Sequence, residues 1–271
     1  MVETLTEALA EAGYQLILGQ TGYDPQREEA VLNALIGRQP DGIVVVGLVQ
    51  SPPARERLQR LRIPVVETWD LSDRPVDMAV GFSHLKVGGA VAGYFLGKGW
   101  KRVGIASGDD RRAMLRREGF VATIGRDVPT AIVPAPSNLE RGRRALADLL
   151  LQEPALEAVC CSSDQLGHGV LVEARARGLR VPDDLAIFGF GDADFAAHTV
   201  PSISTVHVDG PGIGQIAARL VIARCRGQTI DRPVVDVGFR LIERESTATP
   251  TAAPTSTAPS TVASSVTPAS A

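Results

Sequence analysis

Four short polar clusters follow directly after apolar runs that have the length of β-strands. Ligands of parallel α/β sheets bind beyond the carboxyl ends of the strands, so these positions are the first candidates for chemistry. Together the clusters supply hydrogen-bond donors, acceptors and one aromatic face, which is the composition of a pocket for a polyol or sugar. The clusters are Thr68-Trp69-Asp70, Ser83-His84, Ser162-Ser163-Asp164 and Gly191-Asp192-Ala193-Asp194.

Three residues of these clusters also have a purely structural interpretation. Asp164 precedes a predicted helix and could cap its first free N–H groups, and Ser83 stands in the same position before a helix from His84. Trp69 could belong to the hydrophobic core. The sequence leaves both interpretations open.

Arg116 differs from the other basic residues of its segment, RRAMLRREGF. It lies early on a predicted helix that follows the strand ending at Ser107, close to the mouth of a sheet. A guanidinium at that place can hold a carboxylate through two parallel hydrogen bonds. Arg111 and Arg117 are expected on the solvated face of the same helix. Arg116 is therefore the candidate for binding an anionic group.

The motifs of catalysis and of metal binding are missing from the sequence. There is no G-x-S-x-G elbow and no Walker loop, and GFGDAD and GPGIGQ lack the spacing of a dinucleotide fingerprint. The three cysteines and the four histidines match no metal-ligand spacing. We therefore predict that the protein is not an enzyme and uses no metal and no cofactor.

Composition limits the partners and the compartment. A formal net charge of -3 and short basic clusters argue against a free-standing nucleic-acid binder, which needs clustered Lys and Arg. The sequence has no apolar run of bilayer length and no basic-then-apolar leader, so we expect a cytoplasmic location and no membrane contact. Residues 246–271 contain only Ser, Thr, Ala, Pro and Val, which predicts a disordered tail.

Helices and strands alternate along the chain and must position the clusters. Near-continuous apolar strands between helices predict parallel sheets covered on both faces, and two series of strands predict two sheets, joined near Gly97 to Arg102. We expect an N-terminal lobe of residues 1–99 plus 208–228 and a C-terminal lobe of residues 100–207 plus 229–245. The predicted strands are 14–18, 42–47, 63–67, 78–82, 102–107, 131–133, 156–161, 185–190, 203–208 and 234–243, and the predicted helices are 2–12, 25–37, 53–61, 84–98, 111–126, 139–152, 164–177 and 212–226.

The order of the motifs from residue 1 to about 245 resembles the effector-binding core of LacI/GalR-type transcriptional regulators. The resemblance implies an α/β fold of two Rossmann-like lobes with parallel sheets, similar to periplasmic binding proteins, with three crossovers and a sugar or related metabolite between the lobes. The segments that carry it are DGIVVVG, IPVVETWD, VGFSHLKVGGAVAGYFLGKGWKRVGIASG, RREGF, AVCCSSDQLGHGVL, GLRVPDDLAIFGFGDADFAAHTVPSISTV and IGQIAARL.

The resemblance also explains why this chain opens on an amphipathic helix. Members carry a helix-turn-helix, a hinge helix and a first strand ahead of that helix, so the chain looks like an N-terminally truncated member with the first strand missing. The implied function is effector binding and dimerisation in a regulator, a repressor, of the LacI family. Its implied partners are a second copy of the chain and operator DNA, the latter only through a head that the chain lacks.

Matched position by position, Arg116 falls on the arginine with which the family grips its effector. Ser83-His84 fall where many members have Asp-Asn, and Gly191 falls where sugar-binding members place an aspartate. Loss of a fixed carboxylate beside Arg116 reduces repulsion of an anionic ligand, and VVETWDL with VGFSH resembles gluconate-responsive members. The implied effector is a sugar acid such as gluconate. The candidate effector-binding residues are Arg116, Trp69, Asp70, Ser83, His84, Ser163, Asp164, Gly191 and Asp192.

Two other interpretations stay open at this point. A solute-binding protein of a sugar transport system shares the two-lobe fold, but it needs an export signal. A non-functional fragment is the other, because a sheet that lacks an interior strand exposes unpaired backbone edges.

Overall fold

The computed structural model describes residues 1–22 and 25–248 and contains two parallel four-stranded sheets. The first sheet has the order β1-β2-β3-β9 and the second has the order β5-β4-β6-β7, with parallel pairing throughout. The strands of the first sheet are β1 (Ile43–Val46), β2 (Val65–Thr68), β3 (Met78–Gly81) and β9 (Val234–Asp236). Those of the second are β4 (Val103–Gly108), β5 (Thr130–Val133), β6 (Ala158–Cys161) and β7 (Ala186–Phe188).

Helices cover both faces of the first sheet, as its continuous apolar strands require. The helix α1 (Val2–Glu11) packs on α8 (Gly210–Cys225), which in turn lies over β1, β2 and β3. A separate apolar cluster joins the strands to α2 (Pro25–Ile36) and α3 (Pro52–Leu61). Its buried members are Leu32, Ile43, Val49, Ala54, Leu58 and Val65.

The helix α4 (His84–Gly97) packs on the second lobe, against the prediction that the first lobe runs to residue 99. Its neighbour is α5 (Arg111–Ile124), and a Cβ added to Gly88 would lie 1.8 Å from the carbonyl oxygen of Arg116. The ring of Phe95 lies 5.5 Å from that of Phe120. The chain therefore changes lobe between β3 and α4. Helical periodicity showed where α4 begins but could not show which sheet it covers.

The segment after α8 also differs from the prediction. Residues 234–243 were predicted as one strand in a segment, 229–245, assigned to the C-terminal lobe. Instead β9 pairs with β3 in the first sheet, and β10 (Arg240–Ile242) pairs antiparallel with β8 (Thr205–His207). The lobes are therefore joined at three places: between β3 and α4, between β8 and α8, and between β9 and β10.

Residues 14–18 form no strand, so that prediction was wrong. The side chains of Ile17 and Leu18 are 58% and 71% exposed. In the described part of the chain, β1 is an edge strand whose outer side has no strand partner, and residues 14–18 do not pair with it. Apolar content alone could not reveal whether the segment has a partner.

The end of the described chain is anchored where a disordered tail was predicted. Ser246 and Thr247 are fully buried. The Ser246 hydroxyl donates to the carbonyl oxygen of Ile187 (2.6 Å) and accepts from the amide of Ser204 (2.8 Å). The prediction therefore placed the start of the tail too early, and residues 249–271 lie outside the described part.

Two further helices, α6 (Leu139–Gln152) and α7 (Asp164–Ala176), complete the second lobe. Among the described residues, no helix has both the length and the apolar character needed to cross a membrane.

Candidate functional site

Arg116 projects from α5 and is held from three directions. Its Nη1 donates to Nδ1 of His84 (2.8 Å), and its Nη2 donates to the carbonyl oxygen of Ser162 (2.9 Å). The guanidinium carbon lies 4.0 Å from the centre of the Phe190 ring, a cation–π contact. Its Nε is buried and has no hydrogen-bond partner in the described structure. Burial lowers the pKa of Arg116 to about 10, so the side chain remains a cation at neutral pH.

His84 is the first residue of α4 and is 3% exposed. Its Nε2 lies 3.0 Å from the carbonyl oxygen of Trp69, and its ring packs edge-on against Phe82 at 4.6 Å. Burial, with the charge of Arg116 as the second cause, lowers the pKa of His84 to about 3. The imidazole is therefore neutral. Since a guanidinium can only donate and a carbonyl can only accept, the proton must lie on Nε2.

Trp69 follows β2 and has a left-handed backbone with φ of 65°, which is rare for a bulky residue. Its ring packs edge-on against Phe82 and lies beside Gly210 at the start of α8. Trp69 is therefore partly a core residue, as the structural interpretation held, while its carbonyl is part of the hydrogen-bonded chain to Arg116.

Asp70 carries a carboxylate that joins the two lobes. Its Oδ2 accepts from Nη1 of Arg111 on α5 (3.2 Å), and its Oδ1 accepts from the amide of Leu71 (2.9 Å). Burial raises the pKa of Asp70, although the nearby arginines oppose this shift. Arg111 was expected on a solvated face, and its side chain is indeed 51% exposed.

Both serines of the predicted site cap helices. The hydroxyl of Ser83 accepts from the amide of Lys86 at the start of α4, and that of Ser163 accepts from the amide of Leu166 at the start of α7. The structural interpretation of Ser83 is thus confirmed, whereas that of Asp164 is wrong because Ser163 is the cap. Each hydroxyl keeps its own proton for donation to a ligand.

Asp164 and Asp192 belong to a network around the loop after β7. Asp164 accepts from the hydroxyl of Thr205 (2.6 Å) and from the amide of Ala193 (2.7 Å), and burial raises its pKa. Asp192 bonds to Nδ1 of His207 (2.7 Å) and to Nη2 of Arg244 (2.6 Å). Partial burial opposes ionisation of Asp192, but the hydrogen bonds from these two partners hold its pKa below the ordinary value.

Sequence reasoning missed His207 and Arg244. They lie on or beside β8 and β10, and neither the spacing nor the local pattern relates them to Asp192. Gly191, which precedes Asp192, has φ of 123°, a conformation that favours glycine.

Comparisons with known proteins agree with this architecture. Residues 92–247 match the periplasmic binding protein-like domain family. The regulator GntR of Pseudomonas aeruginosa is 31% identical over 255 residues, which cover 91% of this chain and 74% of the relative. The crystal structure of the regulator GntR from Chromobacterium violaceum is 32% identical, with a TM-score of 0.86 and coverage of 91% and 93%. A LacI family regulator from Silicibacter pomeroyi is 28% identical, with a TM-score of 0.84 and coverage of 90% and 92%. The chain belongs to the LacI family of transcriptional regulators.

Membership of the LacI family confirms the resemblance, the fold class and the role as the effector-binding part of a regulator. The relatives are transcriptional regulators and not enzymes. Within the described residues, no group of three or more potential ligands could hold a metal ion.

The charged groups of this LacI-family site differ in their hydrogen-bond partners. The carboxylates of Asp70, Asp164 and Asp192 all accept hydrogen bonds within the protein. The guanidinium of Arg116 is hydrogen-bonded to an imidazole and a carbonyl, and among the described residues to no carboxylate. The arrangement is therefore suited to binding an anion.

Proposed function

We propose that this chain is the sensing core of a homodimeric regulator whose effector is a sugar acid such as gluconate. The observation that carries the proposal is the buried Nε of Arg116, which has no partner in the described structure. A buried donor without a partner is costly, and a ligand carboxylate would remove that cost through a charge-assisted hydrogen bond. A neutral sugar could accept the bond but would not neutralise the cation.

The hydroxyl groups of the ligand would be bound by the other residues of the predicted site. Asp70 and Asp192 each keep free lone pairs, because a carboxylate offers about four acceptor positions and each uses two of them here. Ser83 and Ser163 supply hydroxyl protons, and the Trp69 ring offers an apolar face. His84, Asp164 and Gly191 complete the proposed set as residues that shape the site.

Binding would act on the angle between the lobes. Asp70 and Trp69 follow a strand of the first lobe, whereas Arg116 belongs to the second. A ligand that touches both groups favours one arrangement, and it can shift the equilibrium only by its difference in affinity for the two states. In a dimer this shift would be passed on to operator DNA. The cytoplasm is the compartment we propose.

A thermal-melt panel tests the proposed ligand class. At a hundredfold excess over its dissociation constant, a ligand stabilises by about 2.7 kcal/mol, or about 5–10 °C for a chain of this size. We expect gluconate to raise the melting temperature and glucose to leave it unchanged. Equal shifts with both compounds would contradict the sugar-acid function. Arg116→Ala should abolish the gluconate shift, while Arg117→Ala, the matched loss of a cation from the same helix, should preserve it.

A further inference from the structure

The imidazole of His84 lies between a peptide of the first lobe and the arginine of the second. Its Nε2 is 3.0 Å from the carbonyl oxygen of Trp69, and its Nδ1 is 2.8 Å from Nη1 of Arg116. Both ring nitrogens are thereby used. The ring itself is packed between Phe82 at 4.6 Å and Phe190 at 6.1 Å, so it has little freedom to turn.

The two groups that flank the imidazole have opposite hydrogen-bonding requirements. The carbonyl of Trp69 needs a donor, and the guanidinium of Arg116 needs an acceptor. A neutral imidazole with its proton on Nε2 meets both requirements with one side chain. A protonated imidazole would meet only the first and would set two cations 2.8 Å apart. Burial that lowers the pKa of His84 to about 3 keeps the ring in the neutral form.

The remaining contacts of Arg116 leave its orientation dependent on this acceptor. Phe190 covers one face of the guanidinium at 4.0 Å, and the carbonyl of Ser162 fixes Nη2. The bond from Nη1 to Nδ1 of His84 is the third contact, and it is the one that joins the guanidinium to α4.

We propose that His84 is a positioning residue that orients Arg116 for an anionic ligand and couples it to the peptide of Trp69 in the first lobe. The proposal rests on the proposed sugar-acid function for its ligand. Its structural part, the directed hydrogen bond from Arg116 to Nδ1, stands independently of the ligand. Through this bond, a ligand that binds Arg116 also acts on the left-handed peptide that follows β2.

Three substitutions separate the two roles of the imidazole. His84→Asn keeps an acceptor near the position of Nδ1, His84→Gln keeps a donor near the position of Nε2, and His84→Leu removes both. We expect the gluconate dissociation constant, measured by calorimetry, to change less than about threefold in the first variant. In the other two it should rise about tenfold or more, because a hydrogen bond to a charged group is lost. His198→Asn, at an exposed site, is the matched control and should leave affinity unchanged.

Equal losses of affinity in His84→Asn and His84→Leu would overturn the proposal, since the affinity would then not depend on an acceptor at this position. A measurement without ligand tests the positioning role of His84 separately from the proposed sugar-acid effector. The ring ¹⁵N spectrum of histidine-labelled protein should show His84 with its proton on Nε2, and its Nδ1 signal should shift in Arg116→Ala.

A proton on Nδ1, or a Nδ1 signal insensitive to Arg116, would overturn the coupling. If wild-type protein does not bind gluconate, the proposed effector fails. The Nε2–H tautomer together with its dependence on Arg116 would in that case still support the positioning role.

Discussion

In the described part of the chain, two clusters each contain an arginine and a histidine, and one of the two also contains a carboxylate. In the Asp192 cluster, Asp192 joins Arg244 at 2.6 Å to His207 at 2.7 Å. In the Arg116 cluster, the histidine itself is the acceptor, and the described structure places no carboxylate in hydrogen bond to the guanidinium. In the first cluster, the carboxylate balances the charge of the arginine. The cluster also joins β8 to the segment after β10. The second retains a positive charge and a free donor.

The difference shows how similar side chains take different roles. A carboxylate that accepts from two side chains links them and balances the charge of the arginine. A neutral imidazole fixes the direction of an arginine without cancelling its charge. Among the described residues, the charge of Arg116 is therefore not balanced by a hydrogen-bonded carboxylate.

The largest effect is expected from Gly88→Ala, which would break the geometry of the Arg116 cluster. The new Cβ would lie 1.8 Å from the carbonyl oxygen of Arg116, so α4 and α5 must separate. We expect a loss of at least about 3 kcal/mol in the free energy of unfolding, at the upper end of overpacking effects. Urea denaturation measures the loss.

Gly93→Ala is the control for this substitution, because nothing lies within 4 Å of an added Cβ on the same helix. It should stabilise the protein by about 0.5–1 kcal/mol through its helix propensity. If the two variants were equally stable, the close approach of α4 to α5 would be refuted.

Asp192→Ala should break the Asp192 cluster and cost about 2–3 kcal/mol of unfolding free energy, because Arg244 and His207 would lose their shared acceptor. The side chains of Asp192 and Arg244 are only 20% and 18% exposed, so water replaces the carboxylate poorly. Asp194→Ala, at an exposed neighbour, should change stability by less than about 0.5 kcal/mol. A cost below about 0.5 kcal/mol for Asp192→Ala would show that this cluster does not stabilise the fold.

Acid should weaken the protein through the Arg116 cluster by a similar amount. The pKa of His84 is lowered from 6.5 to about 3, so between these values the unfolded chain binds the proton and the folded chain does not. The stability is fully present above pH 6.5 and declines as the pH falls toward 3. By pH 4.5 the loss is about 2.5 kcal/mol.

Denaturation curves of wild type and His84→Asn at pH 7 and pH 4.5 isolate this contribution, because asparagine does not titrate. The stability difference between the two proteins should shift by that amount in favour of the variant at the lower pH. The charged groups that act on His84 are Arg111, Arg112 and Arg116, and all three remain in the variant. An unchanged difference would mean that His84 is protonated as readily in the folded protein as in the unfolded one.

Much of the fold could be predicted because strands buried on both faces leave continuous apolar runs. Both parallel sheets follow this signal, and α5 places Arg116 beside the strand ends as expected. The signal does not show which neighbour an element finds. Residues 14–18 have strand composition without a strand partner, and α4 follows a strand of one lobe but covers the other.

The candidate site was predictable in its membership but not in its bonding. Ser163 and Asp164 are adjacent, and only the structure shows that the serine caps α7 while the aspartate joins the loop after β7 to β8. His207 and Arg244 left no trace in the pattern, since their relation to Asp192 depends on how β8 and β10 pair. Local sequence specifies such side chains without specifying their partners.

The proposed function requires that Arg116 donate a hydrogen bond from its unpartnered Nε to a ligand carboxylate. The most direct test is a thermodynamic cycle with gluconate and D-glucitol, which carries a hydroxymethyl group in place of the carboxylate, on wild type and Arg116→Ala. Displacement calorimetry gives the four affinities. We expect the substitution to weaken gluconate by about thirtyfold more than glucitol, a coupling of about 2 kcal/mol between guanidinium and carboxylate. Equal weakening of both ligands would contradict the proposed function, because Arg116 would then contribute no specific recognition of the acid.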